Sequence, residues 1–152
     1  MMKKEDMARF LVVGVLMISS HCIPAALADK WICTEEEARS AEVIVATIGS
    51  WTELYQQFER YAHCDDGAIA EGFSESISLL LAEQWTDIPQ VSAILIPNPT
   101  FQRFIIEHID ETVPVKRLER VGKNVRERCL SGLEDFCHKI EIEVIQVLPH
   151  SE

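Results

Sequence analysis

The stretch from Tyr61 to Trp85 reads YAHCDDGAIAEGFSESISLLLAEQW and contains the clearest long amphipathic pattern in the chain. Apolar residues recur in it at close to helical spacing, at Ile69, Phe73, Ile77, Leu80, Leu81 and Trp85. Polar residues lie between them, at Glu71, Ser74, Glu75 and Ser78. Asp65 or Asp66 is suited to cap the N-terminus of such a helix. The pattern predicts a central helix over 66–85 that shorter helices cover.

The rest of the chain also has helical patterns. Three Ser/Thr-x-x-Glu capping boxes begin at Thr34, Ser50 and Ser131, and an apolar stripe follows each of them. The patterns predict helices at 35–48, 51–62, 66–85, 100–110, 114–128 and 132–147, with a short apolar segment at 91–96. The short connections favour antiparallel hairpins. We therefore predict an all-α fold, a compact antiparallel bundle of about six helices.

Two segments are also compatible with strands. The run at 43–48 is rich in β-branched residues, which favour strands as well as tolerating helices. Residues 140–144 alternate between apolar and acidic side chains, which is typical of a strand.

The first 28 residues have the layout of a secretory signal peptide. A basic start precedes an apolar run at 10–18, and Ala26-Leu-Ala28 is a small-x-small cleavage site. The acids Glu5 and Asp6 are unusual there, and translation from Met7 would leave them out. The apolar run is too short to span a bilayer, so we expect no stable membrane anchor. The sequence predicts one helical domain at 29–152, in the periplasm or secreted.

The chain is strongly acidic, with a formal net charge of −11. Removal of residues 1–28 leaves 11 basic and 23 acidic side chains, a net charge of −12. This balance argues against nucleic acid or an anionic membrane as the main partner. Residues 29–87 carry 13 acidic and 3 basic side chains, whereas six basic residues lie within 116–128. Three interpretations are open. Both sets are solvated faces, or the two sets pair with each other, or one of them is a binding surface.

Four cysteines remain in 29–152, and an even number in an exported chain indicates two disulfides. Of the three pairings, we favour Cys33–Cys64 and Cys129–Cys137, because the helix pattern places each pair side by side. Zinc binding is the competing interpretation. Since no CxxC pair is present, we predict no metal and no cofactor.

One cluster has the composition of an acid–base site. His63 is followed by Asp65, Asp66 and Glu71, and a histidine near carboxylates can act as a general base. Capping by the aspartates and solvation of the glutamate account for the same residues without catalysis. His108 falls on the apolar face of its helix and is expected to be a hydrogen-bonded core histidine.

A small, acidic, exported, disulfide-braced helical chain resembles the small periplasmic immunity proteins that neutralise cell-wall-degrading toxins, such as amidase effectors of the type VI system. The resemblance covers the overall layout and no motif, so it implies no site residue. From this build and from the excess of acids in residues 29–87, we predict a binding protein that docks a basic protein through Asp65, Asp66, Glu71 and Glu75. The alternatives are an envelope hydrolase that uses the His63 cluster and an envelope assembly factor.

Overall fold

The computed structural model describes residues 32–148, which form seven α-helices and no strand. The helices are α1 (Glu35–Val45), α2 (Trp51–Tyr61), α3 (Gly67–Glu83), α4 (Ile88–Leu95), α5 (Pro99–Glu107), α6 (Val115–Glu127) and α7 (Glu134–Val147). The predicted all-α fold is confirmed, and both ambiguous segments lack strands. Within 32–148 no helix is both long and apolar enough to cross a membrane. The predicted signal peptide at 1–28 lies outside the described residues.

Helix α3 is the centre of the bundle, as predicted. It is the longest helix, and it packs against α1, α2 and α6. All six residues of its predicted apolar stripe, including Trp85 just beyond its end, are buried. Burial of large apolar side chains of this kind is the main stabilising contribution in a domain of this size.

The prediction that the serines of α3 lie on a polar face exposed to solvent is wrong. Ser74 and Ser78 are buried, as is Ser76. The Ser74 hydroxyl donates to the Asp110 carboxylate at 2.6 Å, and the Ser76 hydroxyl donates to the Val45 carbonyl at 2.6 Å. Helices cover α3 on several sides, so small hydroxyl side chains that find partners are accommodated at these positions.

The directions of the helices follow from their contacts. Helices α1 and α2 form an antiparallel hairpin, and so do α6 and α7. The contacts between α3 and α6 instead advance together along both helices, at Glu75–Arg117, Leu81–Asn124 and Trp85–Arg128. These two helices are therefore parallel. Helices α4 and α5 form the crossover that returns the chain to the start of α3, so α6 can run in the same direction as α3.

Helices α1 and α3 approach closely at Gly72. A Cβ atom at this position would lie 2.6 Å from Cγ2 of Val45, a residue with no exposed surface. The absence of a side chain therefore permits close packing of the last turn of α1 against the second turn of α3.

The predicted helix starts differ in outcome. The Thr34 box is complete, with the Glu37 amide donating to Thr34 Oγ1 at 3.2 Å and the Thr34 amide donating to Glu37 Oε2 at 3.0 Å. Ser50 caps α2 by accepting from the Glu53 amide at 3.2 Å, but the Glu53 carboxylate accepts from the Gly49 amide at 2.8 Å, so this box is only half formed. The Ser131 box is wrong, because α7 begins after Leu133 without a side-chain cap. The Glu134 carboxylate accepts instead from the Gly132 amide at 2.8 Å.

The segment predicted as a short apolar connection contains α4. A proline lies in its first turn, where the missing amide hydrogen leaves no intrahelical bond unmade. At 8 residues, the helix is too short to show a clear period in the sequence. Helix α1 also ends earlier than predicted, at Val45, in a turn that leads to Ser50.

Both predicted disulfides are present. Cys33–Cys64 joins the start of α1 to the turn before α3, with 4.9 Å between the Cα atoms. Cys129–Cys137 joins the end of α6 to the second turn of α7, with 6.1 Å between the Cα atoms. Each bridge therefore fastens two helix ends that the packing has already brought together.

Candidate functional site

A cleft of about 410 Å³ lies beside the Cys33–Cys64 disulfide, between the start of α1 and the start of α3. Its lining includes His63, Asp65 and Asp66, three of the residues that the sequence singles out. The chain enters α3 through Gly67, whose φ of 51° is in the left-handed region that favours glycine. The Asp66 carboxylate accepts from the Gly67 amide at 2.8 Å. The sharp turn thus directs the acidic pair to the mouth of the cleft.

Asp65 has a partner within the protein. Its Oδ1 lies 3.1 Å from Nε2 of His108, and Nδ1 of the same ring lies 2.7 Å from the Phe104 carbonyl oxygen. Both ring nitrogens therefore face acceptors, which suits a protonated imidazole that donates twice. Burial disfavours that charge, but the hydrogen bonds to Asp65 and Phe104 and the charges of Asp65 and Asp110 outweigh it and raise the pKa of His108. The expected core histidine is confirmed, and its acidic partner was not foreseen.

Glu75 also has a partner within the protein. Its carboxylate accepts two hydrogen bonds from the Arg117 guanidinium, at 2.6 and 3.0 Å. The Arg117 side chain is only 18 % exposed, and it also donates to Ser78 Oγ at 2.9 Å. A bidentate pair of this geometry is strong and directional, so Glu75 joins α3 to α6.

The basic residues of α6 mostly contact acids of neighbouring helices. Besides the Arg117–Glu75 pair, Arg120 pairs with Glu83 of α3 and Arg126 lies 3.7 Å from Glu141 of α7. Among the interpretations of the charge asymmetry, internal pairing therefore accounts for three of the six basic residues at 116–128.

Other acids of the first three helices remain directed to solvent. Glu71 is exposed and has no ion-pair partner among residues 32–148, and the same holds for Glu42. Glu42 follows Ala38 by one helical turn, and Ala38 lines the cleft. Glu42 therefore lies on the flank of α1 that borders α3. With Asp66, these residues form what we call the acidic surface: Glu42, Asp66 and Glu71.

The proposed acid–base residues are not joined in one hydrogen-bonded unit. His63 Nε2 lies 3.6 Å from Oε1 of Glu37, whereas Asp65 contacts His108 and Asp66 caps α3. Glu71 lies a turn further along the helix. The structure thus brings His63 to Glu37, a residue that the capping box had already assigned to a structural role.

Glu37, His63 and Cys64 form the one group in 32–148 whose potential metal-ligating atoms lie together, all within 4.8 Å of one another. The Cys64 sulfur belongs to the disulfide and is not a thiolate. Sequence spacing did not reveal this group, because Glu37 lies 26 residues before His63 and only the α1–α2 hairpin brings them together.

A larger groove of about 530 Å³ lies between α5 and α7. Ile106 and Ile142 contribute apolar surface to it, and Arg103 and Glu107 at its edge pair with each other. It contains none of the residues that the sequence predicts for a site.

No protein-family model matches the sequence, and neither a curated protein nor a solved structure shows significant similarity to it. Function is therefore inferred from the chemistry of the described residues.

Proposed function

We propose that the chain is a small exported binding protein that docks a basic protein of the cell envelope through its acidic surface. An inhibitor or immunity protein for a basic envelope-acting toxin or enzyme fits this description. The observation that carries the proposal is the unequal pairing of charge. Three basic residues of α6 are held by acids of α3 and α7, whereas Glu42 and Glu71 face solvent without a partner among residues 32–148.

Charge of one sign on an exposed surface attracts an oppositely charged partner over distances longer than a contact. Such attraction raises the association rate and disfavours partners of the same charge. The Cys33–Cys64 disulfide supports this role because it joins α1 to the turn before α3, and these two helices carry the surface. A surface fixed before binding loses less conformational freedom when the complex forms.

This proposal keeps only some of the binding residues that were predicted from the sequence. Of the four residues predicted from the sequence, Asp65 contacts His108 and Glu75 contacts Arg117. We assign to them the support of the surface, and to Asp66 and Glu71 the contact with the partner. A hydrolase function has less support, because His63, Asp65 and Asp66 each have a different hydrogen-bond or ion-pair partner.

The test is a capture experiment with the purified protein and an envelope extract at low ionic strength. We expect one predominant basic protein to be retained at a one-to-one ratio by the wild type and by Glu127→Lys, and to be lost with Glu71→Lys. Glu127 is exposed, has no ion-pair partner within 32–148, and undergoes the same charge change. Equal retention by both variants, or retention of a multi-component complex, would contradict the proposal.

A further inference from the structure

Three side chains with metal-ligating atoms meet at the junction of α1 and the turn before α3. The ligand atoms of Glu37, His63 and Cys64 lie within 4.8 Å of one another. Cys33 is bonded to Cys64, so reduction of the bridge would free a second sulfur next to this group, although the Cys33 sulfur is not itself within 4.8 Å of all three atoms. Together with Cys33, the group would offer two sulfurs, one imidazole nitrogen and one carboxylate oxygen, which are the ligand types found in protein zinc sites.

The spacing between His63 and Glu37 fits a shared metal better than a hydrogen bond. His63 Nε2 and Glu37 Oε1 are 3.6 Å apart, which is longer than an ordinary hydrogen bond between these atoms. A tetrahedral zinc site with metal–ligand distances of about 2.0–2.3 Å has edges of about 3.3–3.8 Å. The two atoms are therefore separated by about one edge of such a tetrahedron.

The capping box orients the Glu37 carboxylate for this role. Its Oε2 accepts from the Thr34 amide at 3.0 Å and from the Thr34 hydroxyl at 2.7 Å, which leaves Oε1 directed at His63. Outer hydrogen bonds that fix a ligand in this way are typical of metal sites.

We propose that Cys33, Cys64, His63 and Glu37 form a zinc site when the Cys33–Cys64 disulfide is reduced. A dithiol reductant gives two electrons to the disulfide and is itself oxidised to a disulfide, while the protein gains two thiols. Zinc then binds the two sulfurs as thiolates, and their two protons pass to solvent. The junction of α1 and α3 thus has two alternative braces, a covalent one under oxidising conditions and a metal under reducing ones.

The second disulfide provides an internal comparison. Cys129 and Cys137 also lie beside a histidine and two glutamates, His138, Glu134 and Glu141. Within 32–148, however, no three ligand atoms around that bridge come close enough together to form a group. Reduction of this pair should therefore create no tight zinc site.

The experiment uses the purified protein reduced with a phosphine and titrated with zinc alone. We compare Cys129→Ser/Cys137→Ser, which keeps the proposed ligands, with Cys33→Ser/Cys64→Ser, which keeps only the other pair. We expect one zinc per chain in the first variant, bound at least about 100-fold more tightly than in the second. In the first background, His63→Ala should weaken zinc binding by more than about 10-fold, because it removes a direct ligand and the loss of an outer hydrogen-bond partner alone costs about 10–100-fold.

Three outcomes would overturn the proposal. They are equal zinc affinity in the two double variants, no effect of His63→Ala, and tight one-to-one binding by the oxidised protein. If reduction melts the helices of Cys129→Ser/Cys137→Ser, zinc should restore the helical circular dichroism signal, since binding at a formed site is coupled to folding. Failure of zinc to restore that signal would also refute the site.

Discussion

Asp65 and His108 are 43 residues apart in the sequence, and their side chains meet at 3.1 Å. Asp65 belongs to the turn between the Cys33–Cys64 disulfide and α3, whereas His108 ends α5. The contact therefore holds the end of α5 against the turn that lines the cleft. Because the histidine is only 4 % exposed, its charge affects the stability of the fold.

We expect the free energy of unfolding to fall as the pH rises through the neutral range. The folded-state pKa of His108 is raised above its usual value of 6.5. A raised pKa means that the folded protein holds the proton more tightly than the unfolded chain. The resulting stabilisation is fully present below about pH 6.5 and is lost as the pH passes the folded-state pKa. Urea unfolding between pH 5.5 and 8.5 measures this dependence.

Two substitutions distinguish the effect of the Asp65–His108 contact on the pH dependence of stability from the effects of other titrating groups. Asp65→Asn removes the charge that favours protonated His108 and should flatten the slope of stability against pH over this range. His138→Gln, which removes an exposed histidine away from the contact, is the matched control. Asp110 acts in another window, since its lowered pKa contributes stability that is lost only in acid. An unchanged slope in Asp65→Asn would contradict the assignment.

The two disulfides should contribute unequally to stability. Cys33–Cys64 spans 31 residues and Cys129–Cys137 spans 8, and the longer loop restricts the unfolded chain more. Loop-closure entropy gives about 3.7 kcal/mol for the first and about 2.5 kcal/mol for the second at 25 °C. We expect Cys33→Ser/Cys64→Ser to lose about 1 kcal/mol more than Cys129→Ser/Cys137→Ser in zinc-free denaturant unfolding. A larger loss for the second variant would show that local packing outweighs loop length.

The helical fold could be predicted because its signals are local or periodic. The apolar stripe of α3 repeats at helical spacing, and Thr34 and Ser50 supply caps at the expected distance from their helices. The disulfide pairing followed from the same helix layout. The stripe and the caps need only nearby residues, so one sequence is enough to reveal them.

The supports of the candidate site could not be predicted in the same way. Ser74 and Ser78 have the composition of a solvated face, and only the neighbouring helices reveal that they are buried. Glu75 and Arg117 lie 42 residues apart, and their pairing depends on the parallel packing of α3 and α6. Glu37 and His63 meet only because the α1–α2 hairpin closes. Each of these relationships depends on tertiary packing, on which local pattern gives no information.

Gly72→Ala should destabilise the protein although alanine is the better helix former. The new Cβ would lie 2.6 Å from Val45 Cγ2, in a fully buried contact with a stiff β-branched side chain. Overpacking of this kind costs about 1–3 kcal/mol, against about 1 kcal/mol gained in helix propensity. We expect a net loss of about 1 kcal/mol in the free energy of unfolding.

A double-mutant cycle tests the cause. Val45→Ala leaves a cavity and is destabilising alone, but it also makes room for the new methyl group. The loss in Gly72→Ala/Val45→Ala should therefore be smaller than the sum of the two single losses. Additive losses would show that the α1–α3 contact at Gly72 does not limit the packing.

Glu75→Lys should lower stability, unlike most changes of a surface charge. It removes both hydrogen bonds to the largely buried Arg117 guanidinium and places a second positive charge beside it. We expect a loss of about 1–2 kcal/mol in the free energy of unfolding. Glu71→Lys, one turn earlier on the same helix, should change it by less than about 0.5 kcal/mol. Equal losses in the two variants would show that the Arg117 pair is not a support of α3.

Glu71→Lys should instead slow association with the basic partner and weaken the dependence of the association rate on salt. Charges further apart than about 8 Å are largely screened at physiological ionic strength, so the effect should be greatest in dilute buffer. Glu127→Lys is the matched control, because it lies beside the far end of α3, about 20 Å along the helix axis from Glu71. Stopped-flow association rates at several salt concentrations separate the two. If Glu71→Lys and Glu127→Lys slow association equally, net charge alone attracts the partner and the acidic surface is not the docking site.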